Sequence, residues 1–297
     1  MHAMKRLIAL LLASALGFAP AAWGEGVLDP HGPIAAAETQ LLYEALGTML
    51  LVVVPVIALT LVFAWWYRAS NTRARHAPDW SYSGRIEFSI WIIPLLVVLF
   101  LAALCWVGSH ELDPYKPIEA QRKPLMVQVV SLDWKWLFVY PELGIASVNE
   151  MAVPIGTPVH LALTSATVMN SFFAPGIAGQ IYTMAGMTTQ LSFVAADAGI
   201  YPGQSAQFSG DGFSDMRFKV VANQPADFEH WVAAVRSSAD RLDTGSYERL
   251  ATLHATAPVQ YFGAVDGDIF GHALHHRSPP VLSLIGFDTE RSGEKVE

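Results

Sequence analysis

Two stretches of 23 residues are almost uniformly apolar and carry no charge. The first runs over 45–67, between Glu44 and Arg68, and the second over 88–110, between Glu87 and Glu111. Coiled as a helix, each would reach about 35 Å at ~1.5 Å per residue, enough to cross the hydrocarbon core of a bilayer. Pro55 and Pro94 lie inside these runs, which membrane helices tolerate better than soluble ones. Trp65, Trp66 and Tyr67 close the first run and Trp106 nearly closes the second, in the manner of interfacial aromatic belts. The pattern predicts a hairpin of two transmembrane α-helices within an anchor over 25–110.

A shorter apolar run, Leu7 to Phe18, follows Lys5 and Arg6 and precedes the small-x-small triplet Ala22-Trp23-Gly24. It is too short to span and predicts a signal peptide over 1–24. The 68–86 connection carries Arg68, Arg73, Arg75 and Arg85 against Asp79, so it is expected to face the cytoplasm. Both termini then lie on the periplasmic side, which is also where a signal peptide would deliver the N-terminus.

From Leu125 the apolar period changes to two. LMVQVVS, WKWLFVY, TPVHLALTS, TQLSFVAA and MRFKVVA are strand-length runs punctuated by Pro, Gly, Asn and Asp. They predict a small exported all-β Greek-key sandwich or barrel over 111–224. In the second run Trp134, Trp136, Phe138 and Tyr140 share one face, either as a core-facing row or as a surface docked on a partner. After Asn223 the period changes again. Phe228, Trp231, Val232 and Val235 form one helical stripe, and Ser246 to Leu253 suits a second short helix with Asp243 or Thr244 near its cap. This predicts a short α-helical, aromatic-rich C-terminal extension over 225–276, followed by a polar, disordered tail over 277–297.

Composition narrows the class. Of the 297 residues, 53% are hydrophobic and 15% charged, too apolar for an ordinary soluble enzyme and too polar for an all-membrane transporter. A formal net charge of −8 argues against nucleic-acid binding. The single cysteine, Cys105, lies in the second apolar run, so intrachain disulfides and Cys-rich zinc sites are excluded.

The stretch GQSAQFSGDGFSDM, Gly203 to Met216, has the rhythm of a metal loop without its ligands. With Cys at 205 and 209, Glu at 207 and His at 213 it would hold copper. Together with RIEFSIWIIPLL, SLDWKWLFVYPE and VMNSFFAPGIAGQIYTMAGM, in this order behind two spans, it resembles subunit II of the haem-copper respiratory oxidases over about residues 27–275. The resemblance implies a cupredoxin-like fold for the β-domain. In family members that oxidise cytochrome c, this domain holds a dinuclear copper centre through two Cys, two His, one Met and a Glu carbonyl. At those positions this sequence has Ser205, Ser209, Asn170, Phe213, Met216 and Gln207, so only Met216 is retained. A serine hydroxyl, an amide and a phenyl ring do not replace thiolates and imidazoles around copper. Gln207 also replaces the Glu that binds magnesium at the subunit interface of copper-bearing members.

The resemblance is to the bo-type ubiquinol oxidases, and it implies a function. The chain is expected to be subunit II of a proton-pumping quinol oxidase, with no cofactor of its own. Haems, copper and ubiquinol are expected in subunit I, and subunits III and IV and the lipid bilayer as further partners. Alternatives are a menaquinol or cytochrome c oxidase subunit II, or a membrane-anchored periplasmic binding module without an oxidase partner.

Other candidates carry less. Glu87, at the cytoplasmic start of the second span, either complements the helix dipole or, as the resemblance implies, lies at the mouth of a proton-uptake path into subunit I. His272, His275 and His276 fall at helical spacing but lack a clear third ligand. Met169, Met184, Met187 and Met216 are expected as core fillers. Asp113 and Asp133 are turn residues or interface contacts.

Overall fold

The structure is a computed structural model describing residues 26–275 apart from 76, 78, 119–121 and 254. The signal peptide expected over 1–24, the tail over 277–297 and His276 lie outside the described residues. The chain divides into two compact units, 37–113 and a β-domain that includes residues before 37 and from 114 onward.

The first unit contains most of α1 (Pro33–Trp66) and all of α2 (Gly84–Glu111). Both exceed the charge-free runs. α1 starts at Pro33, well before 45, because Pro suits the first helical turn, where its missing N–H would be unpaired anyway. The polar part of α1 then supports itself: Gln40 Nε2 donates to Glu44 Oε1 at 2.8 Å, one turn on. The two helices meet at Gly108, where a Cβ would stand 2.8 Å from Leu41 Cδ1. Hydroxyls within the helices bond back to the preceding turn, as Thr60 Oγ1 does to the Val56 carbonyl at 2.7 Å. That satisfies them without water, as a lipid environment demands. Large apolar side chains such as Leu51 and Trp91 stand exposed along both helices, whose most apolar windows reach mean hydropathies of 2.6 and 2.8. These helices anchor the chain in a membrane.

The β-domain is a sandwich. β1 (Leu125–Leu132), β2 (Lys135–Tyr140), β3 (Ile145–Val148), β5 (Val159–Ser165), β8 (Thr189–Phe193) and β12 (Gln260–Phe262) form one sheet in the order β12-β3-β2-β1-β5-β8. The other is β4-β10-β9-β6-β7, from β4 (Glu150–Pro154), β6 (Asn170–Ala174), β7 (Ala178–Thr183), β9 (Gly199–Ser205) and β10 (Arg217–Asn223). β1 and β5 run parallel, as do β4 and β10, while the other pairs within the two sheets are antiparallel. This is the cupredoxin-like sandwich that the resemblance implied. A two-stranded ribbon pairs β11 (Arg241–Leu242) with β13 (Ala264–Val265).

The strand-length runs correspond to β1, β2, β5, β8 and β10. β3 and β4 show no readable period, because they are short and nearly every residue in them is buried. The chain changes sheet between them at Asn149, whose φ of 57° is one that Asn adopts more readily than most residues. Its side chain fixes the corner: Oδ1 accepts from the Trp136 N–H at 2.8 Å, and Nδ2 donates to the Ala257 carbonyl at 2.7 Å.

The aromatic row belongs to the core for Trp136, Phe138 and Tyr140, all fully buried. Trp136 and Phe138 contact Phe218 at centroid distances of 5.5 and 5.6 Å. Trp134 is not in the row. It precedes β2, with a left-handed φ of 60°. The intervening Leu137 and Val139 are buried too, because the C-terminal extension covers the outer face of this sheet. There α4 (Thr244–Thr252) and α5 (Ile269–His275) bring Tyr247, Leu250 and Phe270 over β1–β3. α3 (Pro225–Arg236) packs its Val232 and Val235 into the main core. Asp243 caps α4, its carboxylate accepting from the Ser246 N–H at 2.7 Å, as its position in the sequence suggested.

Candidate functional site

The loop from 206 to 216 leaves β9 and returns as β10. Its neck is closed by the Ser205 N–H donating to the Met216 carbonyl at 3.0 Å and the Ala206 N–H to the Ser171 carbonyl at 3.0 Å. The far side is a 3-10 turn over Phe213–Asp215. Gly210, at φ 110°, makes the bend that leads into it.

The structure joins three of the positions that the resemblance marks as lost copper-ligand positions, Asn170, Ser205 and Gln207. Ser205 Oγ lies 3.2 Å from Asn170 Oδ1 and 3.3 Å from the Gln207 carbonyl, with its hydroxyl hydrogen directed at these acceptors. Asn170 Nδ2 donates to the Val168 carbonyl at 3.3 Å and to Ser131 Oγ at 3.5 Å, and Ser131 Oγ shares a 2.8 Å hydrogen bond with Thr183 Oγ1. Asn170, Ser205, Ser131 and Thr183 are all buried. A neutral polar chain therefore links β1 of one sheet to β6, β7 and β9 of the other. Each buried group that keeps a partner avoids a desolvation cost of about 1–3 kcal/mol.

Ser209 and Phe213 stay out of this chain. The Ser209 hydroxyl is buried without a hydrogen-bond partner among the described residues, while its carbonyl accepts from Trp134 Nε1 at 3.3 Å. Phe213 packs edge-on against the exposed Phe208 at 5.7 Å. Met216 is fully buried in the main core. Of the four methionines expected as core fillers, Met169 and Met187 are exposed, since both sit in connections beyond strand ends.

An amide, two hydroxyls and a phenyl ring do not fit a copper centre, which needs imidazole and thiolate donors. What these residues can do is hold the two sheets together at this end. Ser131 and Thr183 escape a search for metal ligands. The available signal was phase: Ser131 continues the inward alternation of Val127 and Val129, so a polar residue occupies an apolar position.

Glu87 stands exposed in the first turn of α2, its N–H donating to the Ser83 carbonyl at 3.0 Å. Ser83 makes no side-chain cap bond. His272 and His275 do lie on one short helix, α5, but His272 Nε2 is 3.6 Å from Glu248 Oε1 and its ring meets Tyr247 edge-on. Among the described residues no group of three or more His, Cys, Asp or Glu side chains is arranged to hold a metal ion. Asp133 is a turn residue whose Oδ1 accepts from Thr167 Oγ1 at 2.6 Å.

Comparison with known proteins places the chain in a family. Residues 142–223 match the family "Cytochrome C oxidase subunit II, periplasmic domain". The cytochrome bo(3) ubiquinol oxidase subunit 2 of Pseudomonas aeruginosa is 47% identical over 84% of this chain and 77% of its own length. The ubiquinol oxidase subunit 2 of Acetobacter aceti is 49% identical over 82% of this chain and 80% of its own. The periplasmic domain of subunit II of cytochrome oxidase of Bradyrhizobium japonicum superposes with a TM-score of 0.37 at 24% identity, over 40% of this chain and 96% of that one. The chain belongs to the subunit II family of the haem-copper respiratory oxidases, in its ubiquinol oxidase branch.

Proposed function

We propose that this chain is the copper-free subunit II of a proton-translocating complex that oxidises ubiquinol and reduces oxygen to water. Electrons pass from quinol to haem and copper in subunit I and do not travel through this chain. Subunits III and IV complete the assembly in a bacterial inner membrane. The β-domain and both termini lie in the periplasm, and the 68–86 loop in the cytoplasm. Glu87 then sits at the cytoplasmic mouth of a proton path into subunit I.

The observation that carries the reading is the donor set around Ser205. The scaffold of a copper domain is kept while Asn170, Ser205, Ser209 and Phe213 supply neither thiolate nor imidazole, in a chain nearly half identical to ubiquinol oxidase subunits. The test is purification of the intact complex. Rapid oxygen uptake with ubiquinol, and none with reduced cytochrome c, is expected. Turnover on cytochrome c, or copper retained by this chain after purification, would reject the reading. Turnover on menaquinol alone would move it to the other quinol.

A further inference from the structure

We propose that His31 is a protonation-controlled clasp that fastens the segment leading into α1 to the β-domain. The segment lies against the sandwich through its backbone. The His31 N–H donates to the Gly176 carbonyl, and the Ala196 N–H donates to the His31 carbonyl, both at 2.7 Å. Gly32 permits this approach: a Cβ there would stand 2.5 Å from the Val194 carbonyl oxygen.

The ring is held from both sides. Nδ1 is 3.2 Å from Asp197 Oδ2, in the β8–β9 connection, and Nε2 is 3.3 Å from Asp29 Oδ2, on its own segment. The ring packs against Tyr201 of β9, tilted by 40° at a centroid distance of 5.0 Å, and the Tyr201 hydroxyl donates to the Asp197 carbonyl at 2.9 Å. Asp29, Asp197 and Tyr201 are the titratable groups that face it. A neutral imidazole has one N–H and one lone pair, so it could satisfy only one of the two carboxylates and would turn its lone pair on the other. The doubly protonated ring satisfies both. Burial opposes that charge, but the two carboxylates outweigh it and the pKa is raised.

The sign follows from that direction. The folded state holds the proton more tightly than the unfolded chain, whose histidine titrates near about 6.5. The clasp is therefore fully made below that pH and is lost as pH rises through the raised value. On the proton-release side of a coupling membrane, acidification would tighten it; that consequence rests on the topology proposed above, whereas the transition itself does not.

The test is amide hydrogen exchange of the assembled complex in detergent, corrected for intrinsic rates, between about pH 5.5 and 8.5, the window in which histidine titrates. Exchange at the His31 and Ala196 amides is expected to accelerate in a single-proton transition with its midpoint above that of free histidine. The gain is about tenfold for each unit by which the ring's pKa is raised. His31→Gln should abolish the transition. Asp197→Asn should move its midpoint down toward the ordinary value, and it carries the test should the Gln variant fail to assemble. Protection that ignores pH in the wild type, the same transition in His31→Gln, or an unmoved midpoint in Asp197→Asn would overturn the proposal.

Discussion

Trp134 and Gly212 are packed so closely that a methyl group on Gly212 would stand 2.3 Å from the indole Cδ2. The same indole donates from Nε1 to the Ser209 carbonyl. One side chain in a left-handed turn therefore holds the loop between β9 and β10 at two points. Gly212→Ala is expected to destabilise the domain by about 1–3 kcal/mol through overpacking. In a Trp134→Ala background the same change should cost little, because its obstacle is gone. A double-mutant cycle by thermal unfolding measures the coupling. Additive effects would show that the contact carries no strain.

The polar chain through Ser205 predicts what introducing copper ligands at these positions would do. Asn170, Ser205 and the Gln207 carbonyl already lie within hydrogen-bonding reach, and Met216 is buried beneath the loop. Combining Asn170→His, Ser205→Cys, Gln207→Glu, Ser209→Cys and Phe213→His should create a copper site with thiolate-to-copper absorption. Metal analysis and visible spectra of the purified protein check this. Absence of copper would mean that the Ser209–Phe213 side of the loop has lost the required geometry.

Glu150 ties the extension to the sandwich. Its Oε1 accepts from the Tyr261 hydroxyl of β12 at 2.5 Å and from Trp231 Nε1 of α3 at 3.3 Å. Burial and the adjacent carboxylate push the Tyr261 phenol up to about 12. Glu150→Ala would leave both donors without their acceptor, at a cost of about 2–4 kcal/mol. Glu150→Gln keeps an acceptor oxygen and should lose about half as much. Limited proteolysis should cut the Ala variant first near the start of α3, and cleavage at wild-type rate would show that Glu150 is dispensable.

Lys135 predicts a pH dependence. Its fully buried ammonium donates to the Asp133 carbonyl at 3.0 Å, to the Ala255 carbonyl at 3.1 Å and to the Leu253 carbonyl. Burial lowers its pKa from 10.5 to about 8, against the opposing pull of Asp133. Between those values the unfolded chain binds more protons than the folded one, so stability rises with pH by up to about 1.4 kcal/mol per unit. Relative to Lys135→Met, the wild type should therefore gain stability from pH 8 to 10. Denaturant unfolding of both at several pH values would show it, and a constant difference would contradict the burial argument.

Glu87 separates proton entry from helix capping. If its carboxylate passes protons to subunit I, Glu87→Gln should slow turnover as severely as Glu87→Ala, since an amide does not titrate, while Glu87→Asp retains part of the rate. Haem content should stay at wild-type level in all three. If Glu87 only complements the helix dipole, Gln should turn over normally and any loss should appear in assembly, worth at most about 1 kcal/mol. Turnover normalised to haem distinguishes the two.

The two membrane helices were legible because each run is apolar almost without interruption over the length that crosses a bilayer, where a helix satisfies its own backbone hydrogen bonds. Five strands were legible because runs of β-branched and aromatic residues are bounded by turn formers, although of the five only β10 keeps a clean alternation of buried and less buried positions. That Asn170, Ser205, Ser209 and Phe213 offer neither thiolate nor imidazole was legible because it is a matter of residue identity. Position along the chain could not show that Asn170 and Ser205, 35 residues apart, meet through Ser205 Oγ, or that Ser131 joins them. Nor could it show that α4 and α5 cover the outer face of β1–β3. A period reports that a face is covered but not by what, and β3 and β4, buried almost throughout, have none to report. The left-handed turn of Trp134 and the placing of His31 between Asp29 and Asp197 arise from packing between segments distant in sequence, so only the tertiary structure decided them.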